Sequence, residues 1–116
     1  MKTAATLLAQ GRRALVLFDE VFKGTNVGDA AEASAEVILG FAKTRRSGVV
    51  FASHLAELVP ILETNPDIRF RCFDGAILNG SPRYAFQLRD GVSAHRFGLH
   101  LLRQAGVPEL IATIGA

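Results

Sequence analysis

The stretch ALVLFDEVFKGTN, residues 14–26, places five apolar side chains directly before two carboxylates and a Gly-Thr-Asn turn. The apolar run Ala14–Phe18 predicts a strand buried on both faces, as in a parallel sheet. Asp19 and Glu20 follow at its carboxyl end, where a carboxylate pair is costly unless a cation or a hydrogen-bond donor meets it. The end of this strand is therefore the first candidate for a functional site.

Apolar spacing and turn residues predict the elements around this strand. Before the strand, residues 1–9 predict a helix that ends at Gln10-Gly11, and after it a helix begins at Asp29, with Glu32 in capping-box spacing. A second buried strand follows at Gly48–Ala52, and then a helix over residues 55–63 that Pro60 breaks or delays. The last elements are a hairpin that turns at Asn79-Gly80 and two closing helices, the second of which starts near Pro108. This order indicates an α/β sheet with an antiparallel addition.

Length and composition limit the class of protein. The 116 residues are 49% hydrophobic and 21% charged, which is typical of one small globular domain. A net charge of +2 and scattered arginines predict only weak, salt-sensitive DNA binding by this chain. The single cysteine, Cys72, excludes an internal disulfide. Because no apolar run has the length of a membrane span and no signal-peptide core follows Met1-Lys2, we expect a cytoplasmic protein without membrane contact.

Two pairs of polar residues follow the two predicted parallel strands, Asp19-Glu20 after the first and Ser53-His54 after the second. The carboxyl ends of parallel strands are where α/β sheets carry functional groups. In a nucleotide-hydrolysing sheet, the first carboxylate holds magnesium, the second orients or deprotonates water, and the histidine stabilises charge on the transferred phosphate. A solvated strand end or a helix cap explains the same residues equally well. His95 and His100 lack metal-site spacing to His54 and are expected to be structural or surface residues.

A longer pattern carries a family resemblance. LVLFDEVFKGTNVGDAAEASAEVILGFA, VVFASH and the late DGVSAHRFGLHLLRQAGVP together resemble, in order and spacing, the C-terminal part of the ATPase domain of the MutS family. These are DNA mismatch-repair proteins and their relatives, within the wider ABC-type ATPases. The resemblance implies a three-layer P-loop NTPase fold that binds ATP or ADP with Mg²⁺, and it covers nearly the whole chain.

The resemblance also implies roles for individual residues. Leu15–Glu20 matches the Walker B strand, with Asp19 as the magnesium residue, bound through water, and Glu20 as the catalytic carboxylate. Ser53 and His54 match the family's threonine-histidine switch, Ser53 on the nucleotide side and His54 as a catalytic residue. The loop that meets the partner subunit matches Gly24, Thr25, Asn26 and Asp29.

The chain also departs from the family pattern. No G-x-x-x-x-G-K-[ST] motif occurs in the 116 residues, and the serine-rich signature segment is expected before Met1. We therefore expect residues 1–116 to form the C-terminal portion of a MutS-type ATPase domain, with negligible ATP hydrolysis by this chain alone. Uncovered surfaces predict a homodimer or a larger species, with DNA bound through the complete protein. A serine at position 53 and the sequence FKGTN also fit a MutS-like relative that does not repair mismatches.

Two other hypotheses about the class of protein remain open. The first is another ABC-type ATPase, of the transport or chromosome-maintenance kind. The second is a non-catalytic dimerisation module, which the absent phosphate loop favours for this chain.

Overall fold

A computed structural model describes residues 1–94 and 97–115, so the prediction for His95 lies outside the described residues. The elements are α1 (Lys2–Ala9), β1 (Leu15–Asp19), α2 (Val27–Ala42), β2 (Gly48–Ala52), α3 (Leu58–Leu62), β3 (Arg71–Leu78), β4 (Ser81–Asp90), α4 (Phe97–Gln104) and α5 (Val107–Ala112). They fall into two compact units, Met1–Ile68 and Arg69–Ala116. The mixed α/β class, with a parallel pair and an antiparallel hairpin, agrees with the sequence prediction.

The first unit is built on the parallel pair β1–β2, with α2 as the crossover between the strands. The ring of Phe18 on β1 contacts Phe41 of α2 edge-on, with centroids 5.2 Å apart, and lies 5.6 Å from Phe51 of β2. The buried residues lie on α2 and α3: Ala30, Ala31, Ser34, Ala35, Leu58 and Leu62. Small side chains on α2 thus let α3 approach closely, and this contact forms the core of the unit.

The prediction that both strands are buried on both faces is wrong. Leu15, Leu17 and Val50 are 70%, 68% and 54% exposed. Successive strand side chains point to opposite faces, and α2 covers only one of them. A continuous apolar run is compatible with burial of both faces of a strand, but burial of the second face needs another element packed on it.

The C-terminus of α1 and the N-terminus of α2 are each closed by local hydrogen bonds. The N–H of Arg12 donates to the carbonyl of Leu7 and that of Gly11 to Leu8, so α1 ends in a Schellman motif with Gly11 at a φ of +73°. The capping-box prediction for α2 is wrong. The helix begins at Val27, and the Asn26 side chain accepts the Gly28 N–H at 2.8 Å, which leaves Asp29 inside the first turn.

The second unit is a β3–β4 hairpin followed by α4 and α5. Asn79 and Gly80 form its predicted two-residue turn, with φ values of +51° and +75°, as a type I′ turn requires. The sequence predicts this hairpin as an antiparallel addition to the parallel sheet. In the described part of the chain it forms a separate two-stranded sheet, because its strands hydrogen-bond only to each other. The His100 ring donates from Nε2 to the Gly80 carbonyl at 2.9 Å, which ties α4 to the turn.

Within the described residues, no helix combines the length and the apolar composition needed to span a bilayer.

Candidate active site

The parallel register places the two predicted polar pairs side by side. Asp19 pairs with Ala52 at the ends of β1 and β2, and the Glu20 N–H donates to the Ala52 carbonyl at 2.9 Å. Ser53 and His54 continue directly from Ala52. One edge of the sheet therefore carries both pairs, and the crossover helix α2 starts from the same edge.

The carboxylate of Glu20 is held from two sides. Its Oε1 accepts a hydrogen bond from His54 Nδ1 at 3.0 Å, and its Oε2 contacts Lys23 Nζ at 2.5 Å. The side chain of Glu20 is 33% exposed, whereas those of Lys23 and His54 are 69% and 74% exposed. The Lys23 ammonium first, and then the His54 ring, lower the pKa of Glu20 from its ordinary value of 4.5. The same contact raises the pKa of Lys23. Glu20 is therefore an ionised carboxylate near neutral pH.

A tight reversal of the backbone brings Lys23 onto Glu20. Glu20 and Phe22 have φ values of +42° and +64°, in the left-handed region that bulky side chains rarely adopt, and Gly24 follows at +85°. Each left-handed non-glycine residue costs roughly 1–2 kcal/mol. This strain begins at the second carboxylate, Glu20, and precedes α2; strained backbone is common at functional sites.

A cleft of about 380 Å³ opens between this turn and the end of β2. Five of the predicted site residues line it, namely Glu20, Gly24, Thr25, Ser53 and His54, together with Val21, Phe22, Lys23, Val27, Ala30 and Leu55. Asp19, Asn26 and Asp29 do not contribute to its lining. The structure thus gathers most of the predicted residues around one opening and leaves three at its margin.

Several of these side chains also have local structural roles. Ser53 Oγ accepts the N–H of Leu55 at 3.1 Å and so shapes the turn that follows β2. Asn26 caps α2, and Asp29 is an exposed acidic residue in the first turn of that helix, where the helix dipole favours negative charge. Gly24 and Thr25 are exposed on the loop between the carboxylates and α2.

Sequence reasoning did not include Lys23 in the site. The available signal was a pair of opposite charges three residues apart, Glu20 and Lys23, separated by a turn. Such spacing is meaningful on a helix, but here a left-handed turn creates the contact, and apolar periodicity does not report turns of this kind.

The donor set suits one kind of metal. No group of three or more His, Cys, Asp or Glu side chains that could hold an ion is present among the described residues. Asp19 and Ser53 offer hard oxygen atoms at the same edge. Mg²⁺ is commonly held by one or two carboxylates while it keeps waters and substrate phosphates, so these residues fit such an ion better than they fit an all-protein cage.

Together, the fold and this edge define a mixed α/β protein with an acid–histidine pair at the carboxyl ends of two parallel strands. The family model for MutS domain V matches residues 1–115, and the chain belongs to this family, as the resemblance in its sequence predicts.

Two relatives show the extent of the similarity, and each is a DNA mismatch repair protein MutS. The chain is 30% identical over 112 residues to the protein of Roseiflexus sp. (strain RS-1), an alignment that covers 95% of this chain and 10% of that protein. It is 33% identical over 115 residues to the protein of Flavobacterium johnsoniae, covering 95% of this chain and 13% of that protein. The chain thus spans 10% to 13% of the length of these curated relatives.

Proposed function

We propose that this chain is part of the ATP-binding and ATP-hydrolysing domain of a MutS-family protein, with the P-loop NTPase fold of ABC-type ATPases. The observation that carries the proposal is the 3.0 Å contact between His54 Nδ1 and Glu20 Oε1 across the ends of adjacent parallel strands. Family membership and the names of the relatives support a role in DNA mismatch repair, with DNA bound by the complete protein.

In this proposal, Glu20 orients the water molecule that attacks the nucleotide. An ionised carboxylate accepts hydrogen bonds only, so it orients a water molecule through the water's own protons. Because the pKa of Glu20 is lowered, the carboxylate is a weak base, and orientation of the water contributes more than early removal of its proton.

His54 connects this carboxylate to the nucleotide. Its Nδ1 donates to Glu20, which leaves Nε2 for a second partner. A neutral imidazole that donates from Nδ1 can only accept at Nε2, whereas an imidazolium donates from both nitrogens. We propose that His54, with Nδ1 held on Glu20, donates from Nε2 to the developing charge on the transferred phosphate, a role that only the ring protonated on both nitrogens can fill.

Asp19 and Ser53 would hold the magnesium ion that accompanies the nucleotide. Magnesium, when bound, supplies charge neutralisation of the terminal phosphates. Asp19 would bind it through water from the strand end, and Ser53 would present its hydroxyl, which keeps a free lone pair while it accepts the Leu55 N–H. The exposed loop residues Gly24, Thr25, Asn26 and Asp29 would face the nucleotide site of a second subunit, so the active form is proposed to be a dimer.

Steady-state ATP hydrolysis by the native protein that carries this chain tests the proposal. Glu20→Gln keeps the size of the side chain but removes its charge and one of its two acceptor oxygens, and it should lower kcat by roughly 100-fold or more. Glu32→Gln is the matched control, because Glu32 is an exposed residue of α2 outside the cleft. Equal turnover by the Glu20→Gln and Glu32→Gln proteins would contradict the proposal. A wild-type protein that dimerises without any turnover would favour the non-catalytic module.

A further inference from the structure

The contact between Lys23 and Glu20 has a geometric consequence for the candidate site. A glutamate carboxylate rotates freely about its terminal torsion, because that torsion has broad energy wells. His54 restrains one oxygen of Glu20 and Lys23 restrains the other. With both oxygens held, the carboxylate has one orientation relative to the cleft that it lines.

Lys23 can do this without any other subunit or ligand. It lies three residues after Glu20, on the turn formed by the left-handed residues Glu20 and Phe22. The Lys23 side chain is 69% exposed and that of Glu20 is 33% exposed, and ion pairs open to solvent contribute little to folding stability. The contact therefore fixes the orientation of the Glu20 carboxylate but adds little to the free energy of unfolding.

We propose that Lys23 is a positioning residue for Glu20, holding Oε2 so that Oε1 stays on His54 and the carboxylate faces the water that attacks the nucleotide. This inference rests on the proposed function of the site. Lys23 acts here as a hydrogen-bond donor that fixes the second oxygen of Glu20. An arginine at this position should therefore keep the carboxylate in place, and an apolar side chain of similar length should not.

The test is kinetic and uses the native protein that carries this chain. Lys23→Met should lower kcat for ATP hydrolysis by roughly tenfold, because a small misplacement of a catalytic group slows the chemical step. KM should stay within about twofold, because an interaction that shapes the reacting geometry affects kcat more than binding. Lys23→Arg should restore most of the turnover. Lys43→Met is the matched control, since Lys43 is an exposed lysine that follows α2 outside the cleft.

A double variant shows whether Lys23 acts through Glu20. If it does, adding Lys23→Met to Glu20→Gln should not reduce the residual turnover further. Unchanged kcat in Lys23→Met, while Glu20→Gln loses turnover, would overturn the positioning role and leave the proposed function standing. A raised KM with unchanged kcat would make Lys23 a nucleotide-binding residue and overturn the inference as well. If Glu20→Gln hydrolyses ATP like the wild type, the proposed function fails and the positioning role fails with it.

Discussion

Ser34 is a place where the natural residue works against the stability of the fold. Its side chain is fully buried in α2, beside Ala30, Ala31 and Ala35, and its Oγ has no hydrogen-bond partner among the described residues. A buried hydroxyl without a partner costs about 1–3 kcal/mol. Alanine removes that cost and is also the better helix former, by up to about 0.7 kcal/mol.

We therefore expect Ser34→Ala to raise the free energy of unfolding. The small void left by the hydroxyl offsets part of the gain, so a net stabilisation of about 1–2 kcal/mol is expected. For a chain of this size each kcal/mol raises Tm by roughly 4–8 °C. Urea and thermal unfolding of the 116-residue chain, followed by circular dichroism, measure both quantities.

Ser47→Ala is the matched control, because the same atoms are removed from a serine that has partners. Ser47 Oγ accepts the Ala14 N–H at 3.0 Å and donates to the Arg12 carbonyl at 3.3 Å. Its loss should destabilise the chain by about 1 kcal/mol. If Ser34→Ala and Ser47→Ala destabilise the chain equally, Ser34 has a hydrogen bond in solution and the reasoning from its burial is refuted.

Three further predictions concern the cap, the hairpin and the site. Asn26→Ala should destabilise the chain by about 1 kcal/mol through loss of the α2 cap, and Asn26→Asp should not; urea unfolding of both variants checks this. Gly75→Ala should cost about 1–3 kcal/mol, since the added Cβ would lie 2.9 Å from Phe97 Cζ and 3.1 Å from the Arg83 carbonyl, and a Gly98→Ala control meets no atom within 4 Å. The lowered pKa of Glu20 means that its ionisation stabilises the fold above the ordinary value of 4.5, and that this contribution is lost as pH falls through the lowered value. The difference in unfolding free energy between wild type and Glu20→Gln should thus shrink as pH falls below about 4.5, and a difference that stays unchanged down to about pH 2 would contradict the lowered pKa of Glu20.

Local signals in the sequence were sufficient for most of the elements. The apolar runs before Asp19 and Ser53 correspond to β1 and β2, Asn79-Gly80 forms the hairpin turn, and Pro108 stands at the start of α5. Each of these features depends on residues within a few positions of one another. That is why a continuous apolar run, an Asn-Gly pair or a proline in a first helical turn was enough to predict them.

The failures depend on partners that are distant in sequence or on competing local groups. Exposure of Leu15 and Leu17 is decided by what lies over the second face of β1, which the strand itself does not encode. Asn26 and Asp29 are both good capping residues, and the choice between them depends on where the chain turns after Gly24. For the site, the meeting of Glu20 with His54 followed from parallel pairing, whereas the contact with Lys23 needed the left-handed turn.

The parallel pairing of β1 with β2 also sets the order in which the site comes into being. Glu20 and His54 are 34 residues apart in sequence, so their contact depends on closing a long loop that contains the whole of α2. Loop closure of this kind slows folding, and parallel strands cannot pair until the crossover between them is made. During synthesis the ribosome adds Glu20 34 residues before His54. The acid–histidine contact therefore cannot exist in a nascent chain until β2 has emerged and paired, and its formation marks the completion of the β1–α2–β2 crossover.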